Sequence, residues 1–515
     1  LHRASLALLK REAEPQPPAA FAAFLPGWQG WRQGRGGAAL SLSKGGAAGL
    51  REVVRQLQGL YLPAQVWERD VFPARVPGYQ AAWLDELCAA GEVVWLGAGG
   101  SGPGGRKLAF FLREALPLLA PLPGLTPNPF AEGKGQSPGS DPSPGGHNAQ
   151  RGEEVPSTPG VGRSPLPPSP SGGGAVPGLS REAGGEGPTP QQRRVLEALA
   201  AHGALFLDDL EEAAALPRHE VAAALWELAW QGLVTNDRFD AVRGQGPPAP
   251  LPPERASPRR GVASRWLTRQ VGRSVAATLP FAAGRWTLVR WRRVPPEEER
   301  AQAWAAQLLL RYGVVAQEVY AAEAPPVPWP RVLEALRRLE LRGEAVRGYY
   351  VRGLSGTQLA LSEAVDRLRE VAREATADAA AYHLMPACDP ANPYGPLFPL
   401  QDVDGRRVRL ARLPTSYLVL RGGEPVLAAA GSGRSLTPLA ALDAPALRGA
   451  LRALLALVAP PAGPVRGLGV LQVEEWGGEP VLRSPAAAAL AELGFQREPG
   501  ALVLAAHRAR TLLEG

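Results

Sequence analysis

The chain reads as an α+β protein, tandem winged-helix domains followed by a C-terminal β-barrel-like module, and three observations predict it. One unit, an amphipathic helix, a Gly stop and a short strand, occurs three times, at 83–96, 225–239 and 329–351. A stretch without a single Phe, Tyr or Trp between Ala131 and Pro190 divides the chain and offers nothing from which to build a core. After Arg373 the helical period gives way to alternating runs separated by Gly turns, GRRVRLARLPTSYLVLRGGEPVLAAAG and VRGLGVLQVEEWGGEPVLRSP, the pattern of strands.

Taken in order, residues 1–120 form an N-terminal helical and winged-helix unit. Its best helix is 50–57, after which Pro63, Pro73 and Pro77 break the chain into short pieces. In WLDELCAAGEVVWL, Leu84, Leu87 and Cys88 make the helix face, Gly91 the stop and 93–96 the strand; the wing GAGGSGPGGRKLAFFL follows, carrying Arg106 and Lys107. Residues 121–190 are a disordered Pro/Gly/Ser linker. Residues 191–243 give three helices and a ribbon in winged-helix order, with Gly232 as the stop. Pro217 near the start of the third helix leads Arg218 and His219 toward a DNA groove. A second linker, 244–261, and a bridging segment, 262–296, with Trp266, Phe281, Trp286 and Trp291 among arginines, precede the next winged helix, 297–372. There Val332, Leu333, Leu336 and Leu339 share one face, while Arg331, Arg337, Arg338 and Arg342 lie off it. Gly343 stops the helix; Val346, Tyr349 and Val351 supply the inner side of a ribbon, and Arg347 and Arg352 point outward. Residues 373–515 are the β-barrel-like module with helices.

With 515 residues, several cores are affordable in length. The formal charge of +7 and pI near 9.7 favour an anionic partner, although 56 basic groups stand against 49 acidic ones. Nearly all the basic residues are Arg, which suits bidentate phosphate and guanine contacts and equally follows from a GC-rich genome. Only Cys88 and Cys388 occur, in unlike neighbourhoods, so neither a disulfide framework nor a zinc site is supported and a reducing cytoplasm fits. No run approaches the roughly 20 apolar residues that span a bilayer. The sole Met, Met385, lies deep in the chain, an expectation that the sequence is part of a longer polypeptide.

Chemical motifs are few. Gly100, Gly102 and Gly105 satisfy GxGxxG, but a strand-like run and not a helix follows, which reads as a wing. Six His without metal-ligand spacing and no GxSxG elbow leave metal and hydrolytic chemistry unsupported. Gln56-Leu57-Gln58 is the one candidate pair. Both amides can be aimed together only where the helix has ended and the chain is extended, to hold a water or grip a sugar; the same pair also serves to solvate a helix end. Asp208, Asp209, Glu211 and Glu212, and Glu297 to Glu299, sit at helix starts as dipole and capping residues, and Glu474, Glu475 and Glu479 rim a turn at Trp476.

Several stretches, among them LQGLYLPAQVWERDVFPARVPGY, LDELCAAGEVVWLGAG, RYGVVAQEV, VRGYYVRGLSGTQLALSEAVDRLR and CDPANPYG, resemble the C-terminal region of Lhr-type (large helicase-related) superfamily 2 DNA helicases. That resemblance implies tandem winged helices and a β-barrel in a helicase linked to DNA repair, whose ATPase domains are absent here. ATP and Mg are then expected only for those missing domains, with no cofactor in this stretch. The architecture is also similar to winged-helix DNA glycosylases of the AlkZ type, whose signature is Gln, an apolar residue, then Gln or Asp. Gln56 and Gln58 fit it, and the similarity implies that they position a water and support the sugar as a flipped base leaves. Two functions are therefore expected. The first is a DNA-binding module that grips duplex, forked or single-stranded DNA through Arg106, Lys107, Arg218, His219, Arg331, Arg337, Arg338 and Arg347, and assembles with the helicase core and with other copies, as in a tetramer. The alternative is a monofunctional glycosylase for uracil or alkylated bases. A transcriptional regulator is a third, without ligand logic. A cytoplasmic, nucleoid-associated location is expected with all of these.

Overall fold

The computed structural model describes residues 14–31, 45–99, 106–121, 188–244, 283–290, 293–377, 381–459 and 467–514. Almost all of both expected linkers, the GxGxxG loop, Trp266, Phe281 and Trp291 lie outside the described residues.

Three winged helices share one topology. In the first, helix Gly46–Leu57 leads to β1 (Leu62–Pro63), a helical stretch from 64 to 75, the helix Ala81–Ala89, β2 (Val93–Ala98) and β3 (Lys107–Leu112), with β3 between β1 and β2. The stretch 64–75 is not broken by Pro73: it runs through a π turn at Trp67–Val71, closed by Phe72 N–H donating to Trp67 O, and Pro73, which has no N–H to give, follows directly on that widened turn. The middle unit has helices Pro190–His202, Leu207–Ala214 and Arg218–Trp230, then β4 (Val234–Asn236). Its partner strand is β5 (Trp286–Leu288), from the stretch read as a bridge, and Trp286 also bridges Leu205. The third has helix Glu297–Tyr312, β6 (Val314–Val315), helices Gln317–Glu323 and Trp329–Leu341, β7 (Val346–Gly348) and β8 (Gln358–Ala360), with β8 between β6 and β7. The three Gly stops, Gly91, Gly232 and Gly343, take φ of 73°, 70° and 75°, the left-handed turn that ends a helix at little cost for glycine.

The first winged helix lies between the other two. VVWLGA and KLAFFL are apolar without alternation, and a strand of that kind is buried on both faces. One face, with Val93, Trp95, Leu108 and Phe110, joins the core of the middle unit; the other, with Val94, Leu96, Ala109 and Phe111, joins the core of the third. The first contact is close. A Cβ on Gly97 would stand 2.4 Å from the carbonyl oxygen of Ala229, so only glycine lets the middle recognition helix approach the sheet. Trp95 donates to Asn236 O at 3.1 Å and accepts at its own carbonyl from Thr235 Oγ1 at 2.8 Å, which fixes the two sheets edge to edge.

Helix Pro18–Trp28 packs chiefly on Ser362–Ala377 and the β module, and its Phe21, Phe24 and Trp28 fill the shared core. In the C-terminal module six strands lie side by side, Tyr382–Pro386, Tyr417–Arg421, Glu424–Ala430, Ser435–Pro438, Glu475–Trp476 and Glu479–Pro480. Among the described residues the two edge strands do not pair with each other, so these strands show no closed barrel in the module expected to be barrel-like. The last strand is two residues long and carries Pro480, which has no N–H for a further ladder. A second sheet of Val470–Val473, Ala501–Ala505 and Gln496–Glu498 shares a core with one face of the first, Val419, Leu427 and Leu436 meeting Leu471, Leu502 and Leu504. Among the described residues no helix is long and apolar enough to cross a membrane.

Candidate nucleic-acid interface

The three recognition helices meet solvent differently. Ala81–Ala89 carries no basic residue; its Asp85 instead holds Arg243 at 2.8 Å, together with Glu68, so an acidic face is closed by a guanidinium from the middle unit. Arg218–Trp230 is buried over most of its length, Val221, Ala222, Ala224, Leu225, Trp226, Leu228, Ala229 and Trp230 being inside. It does not enter a groove as expected, because its apolar residues run all round the helix and the sheet of the first unit covers them. Arg218 at its start pairs with Asp208 and, at 3.2 Å, Glu211, and His219 is exposed beside it. Trp329–Leu341 buries only Val332, Ala335 and Leu336.

On that third helix Arg331 pairs with Glu297 at 3.1 Å, and Arg338 pairs with Glu298 and, at 2.8 Å, Glu334. Glu297 and Glu298 thus do more than complement the helix dipole: they occupy the guanidinium groups that a phosphate would use. Arg337 is exposed and has no ion pair among the described residues. On the ribbon, Glu340 pairs with Arg347. Tyr349 does not turn inward with Val351. β7 ends at Gly348, and Tyr349 stands 63% exposed.

Arg106 and Lys107 do not form the tip of the first wing. Lys107 opens β3 in the ladder opposite Pro63, and burial lowers its ammonium pKa, with the charge of Arg412 adding to the effect. The Arg106 guanidinium lies 5.0 Å from the ring centre of Trp226 and 5.6 Å from that of Trp230, and bonds Glu227 at 2.9 Å. It reaches the middle unit.

Gln56 and Gln58 do not both sit past the helix end: only Gln58 is on extended chain. Gln56 belongs to the last turn of Gly46–Leu57, and Gln58 is the residue just past it, at φ −59° and ψ 139°. They are 3% and 6% exposed, at the junction with the third unit. Gln56 Nε2 donates to Trp28 O at 2.9 Å. Gln58 Nε2 donates to Gln307 Oε1 at 3.0 Å, while Gln58 Oε1 accepts from Leu112 N at 3.1 Å. Gln307 Nε2 in turn donates to Gln56 O at 2.7 Å, and the buried Arg311 donates to the carbonyls of both Gln56 and Gln58. Gln56 Oε1 is buried without a partner among the described residues.

This junction continues into a network that single-sequence reading missed. Arg75, fully buried, donates to both carboxylate oxygens of Asp389, at 2.8 and 3.1 Å, and to Gln29 Oε1 at 3.1 Å; Gln29 Nε2 donates to Arg311 O. Asp389 stands in CDPANPYG, so the signal was there, a charged residue in a stretch with turn residues on both sides. Its partner 314 positions away was not legible. The buried thiols of Cys88 and Cys388 are pushed up to about 12, chiefly by desolvation, so neither is poised as a nucleophile.

Two stretches, residues 16–113 and 294–380, match family models described as "Large helicase-related protein, winged-helix domain", the third and fourth of that family. A protein of Mycolicibacterium smegmatis (strain ATCC 700084 / mc(2)155) described as "Lhr helicase/ probable uracil glycosylase" is 33% identical over 467 residues, 89% of this chain and 26% of that protein. One of Escherichia coli (strain K12) described as "Lhr helicase/uracil glycosylase" is 28% identical over 408 residues, 76% of this chain and 22% of that protein. The chain resembles the C-terminal region of Lhr-type helicases. It spans about a quarter of the length of the curated relatives it matches. The first Lhr match takes in the helix Pro18–Trp28, whose apolar side packs on the second matched stretch, so the two matched pieces share one core.

Proposed function

We propose that this Lhr-type region binds duplex or forked DNA through its third winged helix, beside a helicase core of the same polypeptide. The observation that carries the reading is the exposed helix Trp329–Leu341, with Arg337 unpaired among the described residues and Arg331 and Arg338 held only by surface carboxylates. Arg337 meets a phosphate directly. Arg331 and Arg338 exchange a carboxylate for a phosphate, which releases fewer counterions than a free arginine would. Arg347 is held in the same way by Glu340, while Arg106 serves a contact between the units and Arg218 is held inside the middle unit by Asp208 and Glu211. In this reading the region takes no cofactor of its own, ATP and Mg act in the helicase core, and several copies assemble, as in a tetramer, in a nucleoid-associated repair role. The test is anisotropy of a labelled duplex over a salt series with R337E/R338E. Loss of binding and a slope of log K against log salt shallower by about one to two supports the reading, since a free arginine on a phosphate contributes roughly 0.9 and Arg338, which gives up a carboxylate, less; an unchanged slope removes these residues from the interface.

A second reading, excision of uracil or an alkylated base, is favoured by the descriptions of both relatives and by the unpartnered, buried Gln56 Oε1. An amide oxygen in a dry site can orient a water toward the sugar carbon as the N-glycosidic bond breaks. With Gln56 and Gln58 closed inside a junction, catalysis by them requires the first and third units to part. Incubation with uracil-bearing or alkylated DNA, then alkali, reads the activity as strand breaks. Breaks that persist in Q56A/Q58A, shown to be folded by circular dichroism, move the chemistry to other residues.

A further inference from the structure

We infer that the cleft between the ribbon of the third winged helix and the helix Ser362–Ala377 seats one unstacked nucleobase of single-stranded or distorted DNA, with Tyr349 as its stacking platform. This deepens the DNA-binding reading above and rests on it.

The cleft holds about 270 Å³, below the roughly 300 to 1,000 Å³ of sites for drug-sized ligands, so it suits one flat ring system and not a whole cofactor. Val365 and Leu368 form an apolar floor. Tyr350 makes a wall, and its position depends on Gly348: a Cβ there would lie 2.6 Å from Tyr350 Cζ. Tyr350 is thereby packed down, whereas Tyr349, the next ring along, stays at the lip at 63% exposure. A large aromatic left in water at the edge of an apolar slot is the arrangement that every base can use, because every base has a π face.

The polar groups around the slot fit a nucleotide. Arg347 lines the mouth with its fork held by Glu340, at 2.9 and 3.0 Å, and Arg369 lines it from the neighbouring helix. Gln16 stands beside them, fixed by main-chain bonds on both sides: its N–H donates to Tyr350 O at 2.7 Å and its carbonyl accepts from Arg352 N at 2.8 Å. Its amide nitrogen donates to Glu14 O at 3.0 Å, which leaves the second N–H and the amide oxygen for a base edge, and the guanidinium groups suit the flanking phosphate. Glu14 is the one acid among the lining residues.

The experiment compares a labelled single strand with a blunt duplex of equal length, using the full chain and the variants Tyr349→Ala and Tyr349→Phe. Because Tyr349 is exposed, neither substitution disturbs the core. The expected result is that Tyr349→Ala weakens single-strand binding by about tenfold, the scale of one stacked base, leaves duplex binding unchanged, and is rescued by Tyr349→Phe. A single 2-aminopurine in an unpaired position should be quenched by the wild type and by Tyr349→Phe, and not by Tyr349→Ala. Unchanged single-strand affinity, or an equal loss for both DNAs, overturns the proposal. R337E/R338E separates it from its parent: if that variant keeps full duplex affinity while Tyr349→Ala loses the single strand, the groove reading fails and the base seat stands.

Discussion

The middle and third recognition helices are both thirteen residues long, both enter from a proline and both end at a glycine, yet they do opposite work. Arg218–Trp230 buries eight of its residues and Trp329–Leu341 three. The difference is a second apolar face. In RHEVAAALWELAW, Ala, Leu and Trp occupy positions all round the helix; in WPRVLEALRRLEL, charges interrupt that second face at every turn. The repeated punctuation therefore specifies a fold, and the residues between the punctuation marks decide whether its third helix becomes glue or a reading head.

That contrast can be broken or sharpened by substitution. The largest effect should come from the buried helix: Leu225→Ala removes a fully buried side chain and should cost about 2 to 5 kcal/mol in a urea melt, while Leu341→Ala, 87% exposed, should stay within about 0.5. If the two costs were equal, the burial contrast would fail. Next, Gly97→Val drives methyl groups into the Ala229 carbonyl and should cost roughly 1 to 3 kcal/mol, measured the same way, without changing DNA affinity in the folded protein. Then Arg337→Ala should reduce the salt slope of duplex binding by about one, and Arg218→Ala should reduce it by less, since Arg218 is held by Asp208 and Glu211 whereas Arg337 has no ion pair among the described residues. The smallest effect is a gain: Glu298→Gln removes one of the two surface carboxylates that hold Arg338, leaving Glu334, and should tighten duplex binding by no more than about fivefold in anisotropy. No gain at low salt would mean that Arg338 does not reach DNA.

The winged-helix units were legible because helix, Gly stop and strand are local signals, and the Lhr-type resemblance was carried by contiguous words such as RYGVVAQEV. Strand β5 was not legible as the partner of β4: Trp286 stands 50 positions beyond Asn236, across a Pro-rich stretch that reads as a break. The pair Gln56 and Gln58 could be singled out by residue type, but their partners, Gln307 and Arg311, lie about 250 positions away in a helix whose polar residues look like an ordinary solvated face. Arg106 illustrates the same limit. Its basic, Gly-rich surroundings suggest a wing, and only the nearness of Trp226 and Trp230 reveals a contact between units. Tyr349 was misread because it was grouped with Val346, three positions back and of opposite parity, across the end of the ladder at Gly348.

The two-faced sheet of the first winged helix has a consequence for how the molecule can be divided. Cut away from it, residues 188–290 would show Trp226, Ala229 and Trp230 to water, and such an excised piece would tend to clump. Hydrogen exchange across β2 and β3 should accordingly report the opening of all three winged helices at once, as one cooperative block, and never the fraying of a lone domain.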